Sequence, residues 1–202
     1  EPNMYGLSEV RLYGAAASAP ACYQISNITA TASSQGVAWD RYATNTVSSV
    51  GLLADADGDG IPPHDTDTSH AWMCQPAQAN VSNQWIQFQF SEPVALDRML
   101  VWNWNNTGSG GAEYEMQQAR ICYSMDGVVW TTLADPAYFT MSLGASCYEA
   151  VDQFSFGGVQ AQYVRLDNLR NFKSDNSDGV GLSKVWFFAR NTFFSGTVFR
   201  FH

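Results

Sequence analysis

Apolar and polar residues alternate with a period of two through much of the chain, and that alternation predicts strands rather than helices. From Trp85 to Phe90, the residues Ile86, Phe88 and Phe90 alternate with Trp85, Gln87 and Gln89, so one face is set for burial. Glu92 and Pro93 are expected to close this strand. Leu96 to Asn105 follows as another, with Leu100, Trp102 and Trp104 on one side and Met99, Val101 and Asn103 on the other. Ala119 to Ser124 alternates again and runs into Asp126-Gly127, a tight-turn pair that predicts a hairpin returning through Trp130. Gln153 to Phe156, Tyr163 to Leu166 and Leu182 to Phe188 supply three further strands, separated by Gly- and Asn-rich turns. Short strands spaced by about ten residues, with no helices between them, point to an antiparallel sandwich or barrel, and the sandwich is favoured.

The chain also contains an internal echo. Tyr5 to Leu12 resembles Val180 to Phe187, which makes residues 1–19 either an extra N-terminal strand or the remnant of a preceding module. Residues 20–190 hold the main domain, and 191–202 form a C-terminal extension in which Thr197 to Phe201 suggests an edge strand.

Composition narrows the function. With 202 residues, 46% of them apolar and 14% charged, the chain can build a core. A net charge of −9 disfavours nucleic acid and anionic membrane surfaces as partners. Apolar runs fall short of the ~20 residues of a membrane-spanning helix, and no leader-like pattern opens the chain, so a soluble mature or excised segment is expected. Four cysteines (Cys22, Cys74, Cys122 and Cys147) lie far apart without a CxxC pair, which argues against a zinc knuckle. Three disulfide connectivities fit, as do buried thiols, and export is compatible with either.

Several segments, in order, resemble a known family. They are Ile28 to Ser34, Trp85 to Phe90, Tyr123 to Trp130, Tyr163 to Leu166 and Gly181 to Val185. Together they are similar to the coagulation factor 5/8 type C, or discoidin-like, domains and to the related family 32 carbohydrate-binding modules, across about residues 20 to 190. The resemblance implies an all-β, galactose-binding-like jelly-roll β-sandwich, a structural calcium ion, and a ligand site built by loops at one end. Two departures stand out. A long insert occupies about Thr46 to Thr68, and Lys184 stands where the family usually has an acidic residue beside calcium, whereas the echo has Glu9.

The insert carries the strongest local motif. In Asp55-Ala56-Asp57-Gly58-Asp59-Gly60-Ile61, carboxylates at alternate positions followed by Gly can wrap a hard cation, and calcium is the candidate. It resembles the loops of thrombospondin type 3 repeats and, less closely, an EF-hand. Its twelfth position is Thr66 rather than Glu, so Asp65 and Asp67 are the expected additional ligands, beside Asp55, Asp57, Asp59 and Ile61. The competing reading is a solvated acidic loop.

For a ligand, Trp102, Trp104 and Asn105 place aromatic faces beside an amide at the end of a strand, the combination a sugar needs. The competing reading sends at least one of the two indoles into the core. Arg170, Asn171 and Phe172, with Lys173, form a second group on a predicted loop, and His64 belongs to a third loop at the same end in family members. His70 and Trp72 are expected to support the insert. GxSxG, HExxH and phosphate-loop patterns are absent, and Glu113 and Glu115 are the only close Glu pair, so independent catalysis is not expected. The resulting expectation is a noncatalytic module, secreted or at the cell surface. It binds a glycan or polysaccharide and is covalently linked to catalytic or repeated modules. The alternative is a protein- or lipid-binding adhesion domain of discoidin type, marked by exposed apolar loop tips.

Overall fold

The computed structural model describes residues 21–74, 80–108 and 111–191. The echo at Tyr5 to Leu12 and the candidate edge strand at Thr197 to Phe201 lie outside them. Among the described residues there are eight strands: β1 (Cys22–Gln24), β2 (Thr29–Ala32), β3 (Trp72–Met73), β4 (Ile86–Asn103), β5 (Met116–Ser124), β6 (Thr131–Tyr138), β7 (Asp152–Asn171) and β8 (Gly181–Arg190). Their pairings are all antiparallel.

Two strands are longer than the sequence pattern suggests, and they make the architecture. The pairing of β4 with β7 shifts register between Gln89 and Val94, so Glu92 and Pro93 sit in an irregularity inside one strand instead of closing it. A second shift lies between Leu96 and Arg98, opposite Gly157 and Gly158, whose φ angles of +68° and +86° suit residues without a side chain. Both strands can therefore contribute to two layers. The first half of β4 pairs with β2 and with the second half of β7, which continues to β5 and β6. The second half of β4 pairs with the first half of β7 and with β8, which carries β1 and β3. The result is an all-β sandwich of galactose-binding-like type.

Between the layers, the alternation read from the sequence is realised. Ile86, Phe88 and Phe90 are buried with Met99, Val101, Val164, Leu166, Val185 and Phe187. The Phe187 ring lies 5.1 Å from Phe88 and 5.2 Å from Phe90. Burying each such side chain contributes roughly 1.5–3 kcal/mol. Leu100 and Trp102 face the other way, with Trp186 and Phe188, and are roofed by Ile61 of the insert and by Tyr148. Cys74 and Cys122 are buried thiols; burial pushes Cys74 up to about 11.

The two ends of the sandwich differ. At one, Cys22 pairs with Arg190 and the Asn191 N–H donates to the Ala21 carbonyl. At the other, the ends of β4 and β7 meet the starts of β5 and β8. Asn103 locks this junction, donating from Nδ2 to the Met116 and Thr140 carbonyls and accepting at Oδ1 from the Trp104 and Met116 amides.

Candidate ligand-binding site

Beyond the end of β4, a cleft of about 460 Å³ is lined by Trp39, Arg41, Met73, Trp104, Asn106, Tyr114 and Asp178. That volume falls within the range of small-ligand sites, about 300–1,000 Å³. Trp39 ends a short 3-10 turn (Val37–Trp39), terminated by Asp40 at φ 55°, and is 51% exposed. The turn is held by the Gly36–Arg41 bridge and by the Gly36 N–H donating to the Met73 carbonyl. Arg41 lies between two indoles, its guanidinium 5.6 Å from the Trp39 ring centroid and 5.0 Å from that of Trp104. It donates to Thr68 Oγ1 at 2.9 Å and contacts Met73 Sδ at 3.2 Å, and burial lowers its pKa from the usual value. Across the cleft, Lys173 pairs with Asp178 and sits 5.7 Å from the Tyr114 ring.

Among the described residues, three buried side-chain polar atoms meet no partner in the protein: Arg41 Nε, Trp104 Nε1 and His64 Nε2. Two of the three sit on residues that line this cleft, buried behind its surface. Trp104 itself is wedged: a Cβ added at Gly181 would lie 2.1 Å from its ring, so only glycine permits that contact. Its carbonyl accepts from Ser142 Oγ, which also bonds the buried Glu115 carboxylate.

Of the residues expected to touch a ligand, Trp104 alone lines this cleft, and at 1% exposure it forms the cleft's packed wall rather than an open platform. Trp102 does not: it is fully buried, donates from Nε1 to the Pro62 carbonyl at 3.0 Å and packs edge-on against Trp186. The insert covers the sheet face it occupies, which sequence alternation alone cannot reveal. Asn105 is also buried; its Nδ2 donates to the His64, Asp65 and Ala145 carbonyls and pins two loops together. His64 is interior as well, its N–H donating to the Tyr148 carbonyl, and burial lowers its pKa. Asn171 is buried and caps its own loop, donating to the Ser177 and Gly179 carbonyls. Arg170 is exposed and bonds Gln117, while Phe172 is half-buried with its N–H on the Glu113 carbonyl; neither lines the cleft.

The residues missed were Trp39, Arg41, Met73, Asn106, Tyr114 and Asp178. Trp39 and Arg41 share one loop, Met73 lies on β3, Asn106 and Tyr114 fall between β4 and β5, and Asp178 falls between β7 and β8, with no shared periodicity. The one local signal was Trp39 itself, an aromatic between Gly36 and Asp40 in a segment with no strand alternation.

In the insert, ligand atoms of Asp55, Asp57 and Asp59 lie within 4.8 Å of one another and are exposed. The Gly58 and Gly60 amides donate to Asp55 and lower its pKa. Glu149, from another loop, is pushed up by lost hydration and then by the three Asp carboxylates, and is not part of their cluster. Asp65 and Asp67 are outside this group. Asp65 Oδ2 bonds His70 Nδ1 at 2.7 Å, and Asp67 caps the turn Thr68–His70 through the Ser69 N–H. Ile61 anchors the loop, its side chain against the Trp102 cluster and its N–H on Asp59 Oδ1. The donor set around Asp55, Asp57 and Asp59 suits calcium, all hard oxygens on a chain already turned to present them. The position the family resemblance points to does not: Lys184 occupies it, its ammonium donating to the Asn45 and Val50 carbonyls.

The F5/8 type C domain family matches residues 29–183, and the chain belongs to that family. No curated protein sequence matches it. Among solved structures, CBM32-3 from a family 31 glycoside hydrolase of Clostridium perfringens is similar at 17% identity and TM-score 0.55, over 81% of this chain and 91% of that one. The family 32 module of C. perfringens NanJ, solved with galactose, is similar at 11% identity and TM-score 0.54, over 83% and 99%. A truncated AlyQ with CBM32 and alginate lyase domains is similar at 18% identity and TM-score 0.54, over 89% of this chain and 36% of that one. These likenesses establish the shared fold. Among the described residues, no helix is long and apolar enough to cross a membrane.

Proposed function

We propose that the protein is a noncatalytic carbohydrate-binding module, exported as part of a multimodular protein and presenting a glycan site in the Trp39–Trp104 cleft. One observation carries the reading: a cleft of small-ligand size sets the half-exposed Trp39 and the Tyr114 ring beside the polar side chains of Arg41, Asn106 and Asp178. A pyranose offers an apolar C–H face for Trp39 and hydroxyls for polar contacts with Asn106 and Asp178. Similar modules in complex with galactose and with GalNAc-β-1,3-galactose make these sugars the first probes. A single shallow site of this kind holds a ligand in the millimolar to micromolar range, about 4–8 kcal/mol, and tethering to neighbouring modules raises the avidity.

The test is a glycan array followed by calorimetry on the best glycan. Trp39→Ala is expected to weaken binding roughly tenfold or more with the melting temperature unchanged, because an exposed ring contributes contact area to the ligand and little to the core. Binding that is indifferent to Trp39 would overturn the site. The adhesion reading is favoured by exposed apolar residues on turns, at the Val128–Val129 hairpin tip and, beside the cleft, at Val37 and Trp39. It would replace the glycan reading if the array were silent and lipid vesicles or a protein ligand bound through those residues.

Calcium belongs to the same proposal as a structural ion held by Asp55, Asp57 and Asp59 with Glu149 nearby. It would neutralise mutually repelling carboxylates and stiffen the roof over Trp102. Millimolar calcium is then expected to slow proteolytic cleavage within 55–61, and Asp57→Asn with Asp59→Asn is expected to abolish that protection. Equal cleavage with calcium and with chelator would remove calcium from the proposal while leaving the glycan cleft untouched.

A further inference from the structure

Lys184 is one of only two lysines in the chain, and it is fully buried. It lies on β8 opposite Trp102, on the sheet face that the insert covers. Its Nζ donates to the Asn45 carbonyl at 2.5 Å and to the Val50 carbonyl at 2.7 Å, two oxygens that flank the start of the insert. Among the described residues it has no carboxylate in ion-pair contact; Asp65 acts on it only at longer range and is itself turned to His70. The positive charge is therefore held by backbone carbonyl dipoles, a ligand type that hard metal cations also use. A buried ammonium is costly unless its hydrogen bonds are made, and here the two carbonyls take two of its three N–H groups.

We infer that the Asn45 and Val50 carbonyls form a cation site that the chain fills with its own ammonium, so that Lys184 takes the structural place of a bound metal ion. The inference concerns the scaffold and stands apart from the glycan cleft and from the aspartate loop. It accounts for the misfit between this chain and the calcium position of its family. A divalent ion cannot share the two oxygens with an ammonium, and the sheet-to-insert tie that such an ion would make is already in place. The arrangement predicts an exchange: a carboxylate at 184 would take the ammonium away from both carbonyls, leaving Asn45 only the Ser48 hydroxyl, and would add a negative oxygen ligand, and calcium would then complete the set.

The experiment uses the full chain carrying Asp57→Asn and Asp59→Asn, so that the aspartate loop does not report. With Lys184 intact, the melting temperature is expected to be the same in calcium and in chelator. Lys184→Met is expected to lower it by roughly 5–10 °C in both conditions. Lys184→Glu is expected to be at least as destabilised in chelator and to recover in millimolar calcium, or, if it folds only with the metal, to refold in calcium and not in its absence. A second readout needs no variant: on treatment of the native chain with an acetylating reagent, mass spectrometry should find Lys184 modified at least about tenfold more slowly than Lys173. The inference is overturned if Lys184→Met melts like its parent, if Lys184→Glu is unaffected by calcium, or if the two lysines are acetylated at equal rates.

Discussion

Replacing Trp102 with alanine is expected to cost about 3–5 kcal/mol of folding stability while leaving the glycan affinity of the folded protein unchanged. The side chain is fully buried among Leu100, Tyr148, Ile61 and Trp186, so its removal leaves a cavity that strand β4 and the insert cannot both close. It also leaves the Pro62 carbonyl without its donor. Trp102→Phe should recover most of the packing and lose about 1 kcal/mol for the missing hydrogen bond. Urea unfolding combined with calorimetry on the folded variant separates the two roles. A stable Trp102→Ala protein with weakened binding would return Trp102 to the ligand site and undo the assignment of the cleft.

The contrast between Trp102 and Trp104 shows what was legible in the sequence. Alternation over Ile86 to Phe90 identified the inward face correctly, because burial of every second residue is a local property of a strand. The Asp126-Gly127 turn was legible for the same reason: Gly127 has φ +74°, and the Asp126 carboxylate accepts from the Val128 and Val129 amides. Strand ends were less legible. Pro93 and Gly157-Gly158 read as breaks, yet neighbouring strands continue the pairing past them, and irregularities in register absorb the extra residues. Both indoles are buried, and what buries each comes from elsewhere in the chain. Trp102 is covered by an insert forty residues earlier in the chain, and Trp104 lines a cleft because Gly181 lets it pack close against β8. The cleft also needs Trp39, Met73, Tyr114 and Asp178, brought together by the ends of both sheet layers. Convergence of that kind leaves no pattern along the chain.

Glu115→Gln is expected to stabilise the protein by about 2 kcal/mol at pH 8 and to make almost no difference near pH 4.5. Glu115 is buried where β5 begins, with the Ser142 N–H at 2.5 Å and Ser142 Oγ at 2.8 Å, and burial pushes its pKa up to about 7 against those two donors. A carboxyl whose folded pKa is raised binds more protons in the folded state. Its contribution is therefore complete below the unfolded value near 4.5 and is lost as pH rises through about 7. Asp152, also pushed up by burial, acts with the same sign, whereas buried His64, pushed down, acts oppositely as pH rises toward 6.5. The net profile of the natural protein therefore mixes these groups, and the difference between it and the Gln variant isolates Glu115. The amide can still accept from the Ser142 N–H and can donate to Ser142 Oγ, leaving the hydroxyl proton for the Trp104 carbonyl. Because that link holds the floor of the cleft, the variant should keep its glycan affinity while its stability gains with pH. Parallel urea midpoints for the two proteins at pH 5 and pH 8 would show that Glu115 is not the titrating group.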